Sequence, residues 1–156
     1  PTMMICIFLM WIGASPASTG GGIKTTTFAI ATLNIIALAK GKTRTEIYRR
    51  EVSDNSLRRA FAIIALSLLV NGIAIFVLMI TEKDKDLLSL AFETFSAYST
   101  VGLSLNLTPV LSPAGKIIII FVMFIGRVSM LSLLIAITKR EKYFNYRYPK
   151  EEIMMN

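Results

Sequence analysis

The run Tyr98-Ser99-Thr100-Val101-Gly102-Leu103-Ser104 lies between two long apolar segments and has the composition of neither. A Thr-Val-Gly step at that point asks the backbone to leave helical geometry. Inside a bilayer, irregular backbone survives only when buried in protein or lining a water-filled path. Backbone carbonyls in such loops can replace the hydration shell of a potassium ion. Gly102 supplies the backbone freedom to turn those carbonyls towards an ion. The chemistry expected is cation coordination by the backbone of Thr100, Val101 and Gly102, with Ser99 as the adjoining filter residue. In a soluble protein the same residues would form an ordinary turn, so the neighbouring elements decide between the two readings.

Those neighbours are built for a membrane. The chain has 156 residues, 54% of them hydrophobic, and its mean hydropathy is +0.61. The apolar residues are gathered into blocks. Residues 60–80 carry no charge, and residues 117–137 carry one, Arg127. A helix of 21 residues spans roughly 31 Å, the thickness of a hydrocarbon core. Each block is therefore expected to be a transmembrane helix; the competing reading is a buried helix of a soluble protein. Between them, residues 87–98 place Leu88, Phe92, Phe95 and Ser96 at helical spacing. Twelve residues make roughly 18 Å of helix, too short to cross but right for a re-entrant pore helix. Its C-terminal end would carry about half a negative charge next to Thr100-Val101-Gly102. Residues 106–109 then climb outward, and Ser112 and Pro113 read as the N-cap and first-turn proline of the last helix. The order is span, pore helix, filter, span.

The first 39 residues follow another pattern. Residues 3–11 and 28–39 are apolar but each too short to span. Between them lies Gly13-Ala14-Ser15-Pro16-Ala17-Ser18-Thr19-Gly20-Gly21-Gly22-Ile23-Lys24-Thr25-Thr26-Thr27. Two half-helices around a Gly-rich break mark a discontinuous membrane helix. Gly20, Gly21 and Gly22 permit positive φ and close backbone approach, and Pro16 lacks the donor a continuous helix needs. A phosphate-binding loop is excluded by spacing, because Ile23 separates the glycines from Lys24. A flexible constriction below the filter fits better, with a merely structural break as the bland alternative. Lys24 would repel cations if it faced the path.

Charge sets the expected orientation. The chain carries a net +7. Residues 40–59 hold seven basic residues (Lys40, Lys42, Arg44, Arg49, Arg50, Arg58 and Arg59) against Glu46, Glu51 and Asp54. The tail after Thr138 is basic as well, whereas residues 82–86 are slightly acidic. Basic loops stay cytoplasmic, which puts 40–59 and 139–156 inside and 81–86 outside. Nucleic acid is not an expected partner, because the basic residues hug span ends and lack interleaved stacking aromatics. The tail aromatics Tyr143, Phe144, Tyr146 and Tyr148 read as an interfacial anchor. The single cysteine, Cys6, gives no disulfide or metal pattern, and the chain has no histidine. No initiator methionine or signal peptide opens the sequence, which is expected to be the C-terminal part of a longer protein.

Three further polar residues stand inside apolar segments. Arg127 lies ten residues from either end of its expected span, out of easy reach of water. Inserting such a charge costs roughly 2.5–3.5 kcal/mol, so it needs a partner or an aqueous cavity. The Gly20–Gly22 loop, at similar depth, is the candidate it would face; a tether to carbonyls of a neighbouring helix is the alternative. Glu93, mid pore helix, would either attract cations or hydrogen-bond the backbone that supports the filter. Asn71, together with Gly72 beside it, interrupts the first span; both read as helix-packing positions rather than ligands.

On these motifs the chain resembles the Trk/Ktr/HKT potassium transporters, in particular the bacterial uptake membrane subunits. Phe92-Glu93-Thr94-Phe95-Ser96-Ala97-Tyr98-Ser99-Thr100-Val101-Gly102-Leu103-Ser104 is similar to the fourth repeat's pore helix and filter. The run 13–27 is similar to the broken second helix of the third repeat, and Gly126-Arg127-Val128 to the arginine site of the final helix. The resemblance implies an all-α integral membrane fold. It divides into 1–39 with the gate loop, a basic linker at 40–59, the fourth span–pore–span repeat at 60–138, and a cytoplasmic tail at 139–156. It implies Gly20, Gly21, Gly22, Lys24 and Arg127 at an intramembrane gate beneath a filter of Ser99 to Gly102. It further implies potassium as substrate, no cofactor in this chain, and a place in the cell membrane. The partners implied are the upstream repeats, a second copy in a homodimer, and cytosolic nucleotide-binding regulatory subunits. Two departures accompany it. Ala14 and Ala17 stand where the family often has glycine, which is expected to stiffen the loop, and Ser99 stands where glycine is common.

Three other functions remain in competition. A homotetrameric potassium channel subunit shares the filter chemistry but has no use for the broken helix. A membrane enzyme or nucleotide-driven pump would need a phosphorylatable aspartate or a P-loop. A non-transporting membrane scaffold would leave Gly102 and Arg127 without a purpose.

Overall fold

The computed structural model describes residues 2–16, 18–42, 46–47 and 50–128. The expectations for Ala17, for the linker centre, for residues 129–138 of the last span and for the tail lie outside the described residues. Five α-helices dominate the described residues: α1 (Thr2–Trp11), α2 (Thr25–Ala39), α3 (Asp54–Thr81), α4 (Leu87–Tyr98) and α5 (Pro113–Val128), with a short 3-10 turn at Thr108–Val110. The helical class read from the sequence is what the structure shows. Inside the basic linker lies the one departure among the described residues. Strands β1 (Glu46–Ile47) and β2 (Arg50–Glu51) pair antiparallel, with Glu46 opposite Glu51.

Three helix ends show their physical cause in the capping residues. Gly41 adopts φ +68 just beyond α2, and the N–H groups of Gly41 and Lys42 return to Leu38 and Ala37 carbonyls. This is the glycine-terminated cap that a helix C-terminus favours. α3 starts six residues before the charge-free run, because Ser53 caps it by accepting from Ser56 N. It runs 28 residues, roughly 42 Å, and is long and apolar enough to cross a membrane. α5 opens at Pro113, and Ser112 Oγ accepts from Gly115 N at 3.1 Å, as the sequence predicts. α4 lies against both α3 and α5.

The core is a cluster shared by these three helices. Val70, Ala74 and Leu78 of α3 meet Leu90, Ala97 and Tyr98 of α4 and Ile119 and Val122 of α5, with Leu111 closing one end. The outer faces are apolar too. Leu68, Leu69, Ile73, Phe76 and Ile80 of α3, and Ile117, Ile120, Phe121 and Phe124 of α5, are exposed. Faces so extensively apolar mark a surface made for lipid or further protein. Gly72, read as a packing position, is exposed on α3, and an added Cβ would meet nothing within 4 Å. Asn71 beside it is buried, as a packing position requires.

Candidate functional site

α4 ends where its backbone geometry ends. Ser99 N still donates to Phe95 O, but Thr100 N turns to Ala97 O and Val101 N to Ser96 O. Thr100 then takes φ +56 and Gly102 φ +81. For a β-branched residue that φ is an outlier, and such positions persist only when their surroundings hold them. Thr100 is held by its side chain: its Oγ1 accepts from Gly21 N at 2.8 Å. Residues 100–106 are exposed on the described chain, so Val101, Gly102 and Leu103 face outward. Ser99 is buried, and its hydroxyl has no partner among the described residues.

The stretch beyond is fastened by Glu93. Its Oε1 accepts from Ser104 Oγ and from the backbone N–H groups of Leu105 and Leu107, and its Oε2 accepts from Thr108 Oγ1. Ser96 Oγ donates to Leu103 O. Of the two sequence readings of Glu93, the structure shows the backbone-supporting one. The carboxylate is 5% exposed and fully engaged, so it acts as a clamp on the returning chain. Asn106, at φ +64, adopts left-handed backbone within that return.

The Gly-rich break packs directly behind Ser99 and Thr100. α1 and α2 stop short of each other, and the chain between them leaves and returns through one neck. Gly13 N donates to Ile23 O at 2.7 Å and Ile23 N to Trp11 O at 3.3 Å. The glycines divide their tasks. Of the three, Gly22 alone has positive φ, at +76. Gly21 is needed for approach: a Cβ there would lie 2.9 Å from both Thr100 Cγ2 and the Tyr98 carbonyl oxygen. A Cβ on Gly20 would lie 2.7 Å from Ala14 Cβ, so Ala14 already fills the space beside it.

Two cations bind this loop. Arg127 Nη1 donates to Thr19 O at 2.6 Å, and Lys24 Nζ donates to Ser18 O at 3.0 Å and Gly20 O at 2.8 Å. Three successive carbonyls are thus each occupied by a positive group. Lys24 is turned back on its own loop, which resolves its orientation. Arg127 meets the loop one residue short of Gly20. A cavity of about 260 Å³ lies in the angle, lined chiefly by Thr19, Gly20, Gly21, Lys24, Tyr98 and Arg127.

The structure therefore brings Gly20, Gly21, Gly22, Lys24, Ser99, Thr100 and Arg127 together, while Val101 and Gly102 continue past them. Sequence reasoning missed Gly126 as a contact. It sits in α5 against the Tyr98 carbonyl oxygen, with no room for a Cβ. A glycine inside an otherwise apolar helix costs about 1 kcal/mol against alanine, and that cost was the available signal.

Residues 1–146 match the TrkH family, described as a cation transport protein. The chain is a member of the TrkH family. It is 44% identical over 152 residues to the Ktr system potassium uptake protein B of Bacillus subtilis (strain 168), covering 97% of the chain and 34% of that protein. It is 42% identical over 154 residues to the Ktr system potassium uptake protein D of the same strain, covering 99% and 34%. It is 41% identical over 160 residues to the potassium/sodium uptake protein NtpJ of Enterococcus hirae, covering 98% and 35%. The chain spans about a third of the length of these curated relatives. The TrkH family is one of cation transporters and not of enzymes.

Proposed function

We propose that this chain forms part of a potassium-uptake pathway across the cell membrane. In this reading α4 is the pore helix and α3 and α5 are its flanking spans. Residues Ser99 to Gly102 are one quarter of the filter, with the backbone carbonyls of Thr100, Val101 and Gly102 facing the ion. The loop 13–27 is the intramembrane gate, with Gly20 to Gly22 as its mobile part. The observation that carries the proposal is the junction at Thr100. The residue whose φ is least natural is bonded to Gly21 N, so the end of the candidate filter and the candidate gate share a hydrogen bond.

The electrostatics suit a cation path. The C-terminal end of α4 presents about half a negative charge towards residues 99–102. Lys24 and Arg127 cover carbonyls 18 to 20 of the loop, which would otherwise offer an ion a resting place. A loop held in this way obstructs, and one released from Arg127 would open. The names of the relatives support potassium as the ion. The resemblance adds the upstream repeats, a second copy and nucleotide-binding regulatory subunits as partners. A homotetrameric channel has no place for the broken helix and is not favoured.

The test is flux into liposomes holding the complete protein. Gly102→Ser is expected to reduce discrimination of potassium over sodium, because only glycine tolerates φ +81 without strain. Unchanged selectivity would return residues 99–102 to a structural role. Shortening Gly20–Gly22 is expected to raise potassium flux. Unaltered flux there would remove the gate and leave the filter standing.

A further inference from the structure

The neck of the Gly-rich loop is closed by more than backbone. Phe8 and Trp11 of α1 meet Phe28 of α2, with ring centroids 6.1 to 6.4 Å apart and Phe28 edge-on to both. The two half-helices are thus clasped at the point where the loop departs. Trp11 does two further things. Its carbonyl accepts from Ile23 N, which zips the neck. Its indole Nε1, which can only donate, reaches Ser67 Oγ on α3 at 3.1 Å.

Ser67 is arranged to receive that bond. It is 0% exposed, and its own proton goes to Ile64 O at 2.7 Å, which leaves a lone pair for the indole. Asn71 Nδ2, one turn on, donates to Ser67 O at 2.8 Å and stiffens the same stretch. The Trp11–Ser67 bond joins the neck of the loop directly to α3. The far side of the loop is held differently, by polar contacts from Gly21, Lys24 and Arg127 around a cavity. A segment fixed at its neck and held at its tip by hydrogen bonds would swing about the neck if those bonds were released.

We propose that Trp11 is a positioning residue that anchors the neck of the loop to α3 through Ser67, and so sets how closely Gly21 sits to Thr100. The proposal rests on the gate reading of that loop. A role in ring packing alone would need the aromatic clasp but not the indole N–H.

The experiment uses the complete protein, with cysteines removed and Ser15→Cys introduced at the exposed start of the loop. The rate of thiol modification by a water-soluble reagent and the basal potassium flux into liposomes are both measured. Trp11→Phe keeps a ring and removes the donor; Ser67→Ala removes the acceptor and leaves the ring. Each is expected to raise modification rate and basal flux at least two-fold, and the double variant no further, because one bond is lost in all three. Ser67→Thr, which keeps the hydroxyl, is expected to behave as wild type, and the Ser67 pair decides the matter if Trp11→Phe fails to fold. Unchanged modification and flux in both single variants would overturn the proposal, as would an effect of Trp11→Phe with Ser67→Ala silent. Deletion within Gly20–Gly22 runs in parallel. If the deletion leaves flux unchanged while the tether variants raise modification, the anchor stands and the gate reading falls. If the deletion raises flux and neither tether variant moves modification, the anchor alone falls.

Discussion

The Tyr98 carbonyl oxygen lies between two glycines, Gly21 of the loop and Gly126 of α5, and neither tolerates a Cβ there. This fixes what Gly126 is for. Alanine at that position would ordinarily favour a helix by about 1 kcal/mol. Here the new methyl would meet backbone at the end of α4, which cannot rotate aside as a side chain can. Overpacking of this kind costs about 1–3 kcal/mol, and the obstructing group is rigid, so the steric cost wins. Gly126→Ala is expected to lower the melting temperature of the complete protein in detergent and to reduce flux. Gly72→Ala is the control, since its methyl meets nothing within 4 Å, and it is expected to melt at or above the wild-type temperature. Equal melting of both variants would mean that α5 does not touch Tyr98 as described. The same carbonyl shows where reading from sequence stopped. Thr100, Gly102, Lys24 and Arg127 were legible because a hydroxyl, a glycine or a charge is conspicuous in an apolar run. A backbone carbonyl has no letter of its own, so the oxygens of Ser18, Thr19, Gly20 and Tyr98 could not be named.

At the scale of the element, two carboxylates hold the helices in place. Glu93 ties α4 to the chain that follows it. Glu82, just past the end of α3, ties that helix to the start of α5: its Oε1 accepts from Ser112 N at 2.8 Å. Gly115 makes the room, since a Cβ there would lie 2.7 Å from the same oxygen. Hydrogen bonding from the Ser112 hydroxyl holds the Glu82 carboxyl below its ordinary value of 4.5. Burial opposes this, while the Ser112 N–H, Lys85 and Lys116 reinforce it. A depressed carboxylate pKa stabilises the fold above the unfolded value and ceases to do so as pH falls through the folded one. The α3–α5 joint is therefore expected to be at full strength at pH 6 and to weaken progressively below about pH 4.5. Glu82→Gln should be less stable than wild type at pH 7, and the gap should narrow in acid, measured as melting temperature against pH. A constant gap across that range would mean that Glu82 acts through packing alone. The helices themselves were readable, since the 87–98 helix and the Ser112-Pro113 start follow from spacing and capping. The joint was not readable, because Glu82 and Ser112 are 30 residues apart and meet only once α3 and α5 are antiparallel.

For the whole molecule, helix direction and charge make one argument about orientation. α2 ends at Ala39 and α3 begins at Asp54, so the basic linker lies at one end of both. Lys40 and Lys42 follow α2 directly, where its negative end favours them. At the other end of α3, Glu82 joins the start of α5, so residues 82–86 and 112–115 share the opposite end. The 28 residues between are roughly 42 Å long, more than the roughly 30 Å of a hydrocarbon core. Their exposed faces carry Leu68, Leu69, Ile73, Phe76 and Ile80, which water would not tolerate together. Seven basic residues of 40–59 against three acidic ones favour the orientation we propose, with that end inside. A cysteine at exposed Asp84 is therefore expected to react with an impermeant maleimide on intact cells. A cysteine at exposed Lys42 is expected to react only after the membrane is opened. Both are placed in the complete protein with Cys6 replaced by serine and any other cysteine removed. The reverse pattern would invert the chain and turn the loop 13–27 to enter from the cytoplasm. Reaction of both without permeabilisation would mean that α3 does not cross, and the reading of residues 99–102 as a filter would lose the bilayer on which it depends.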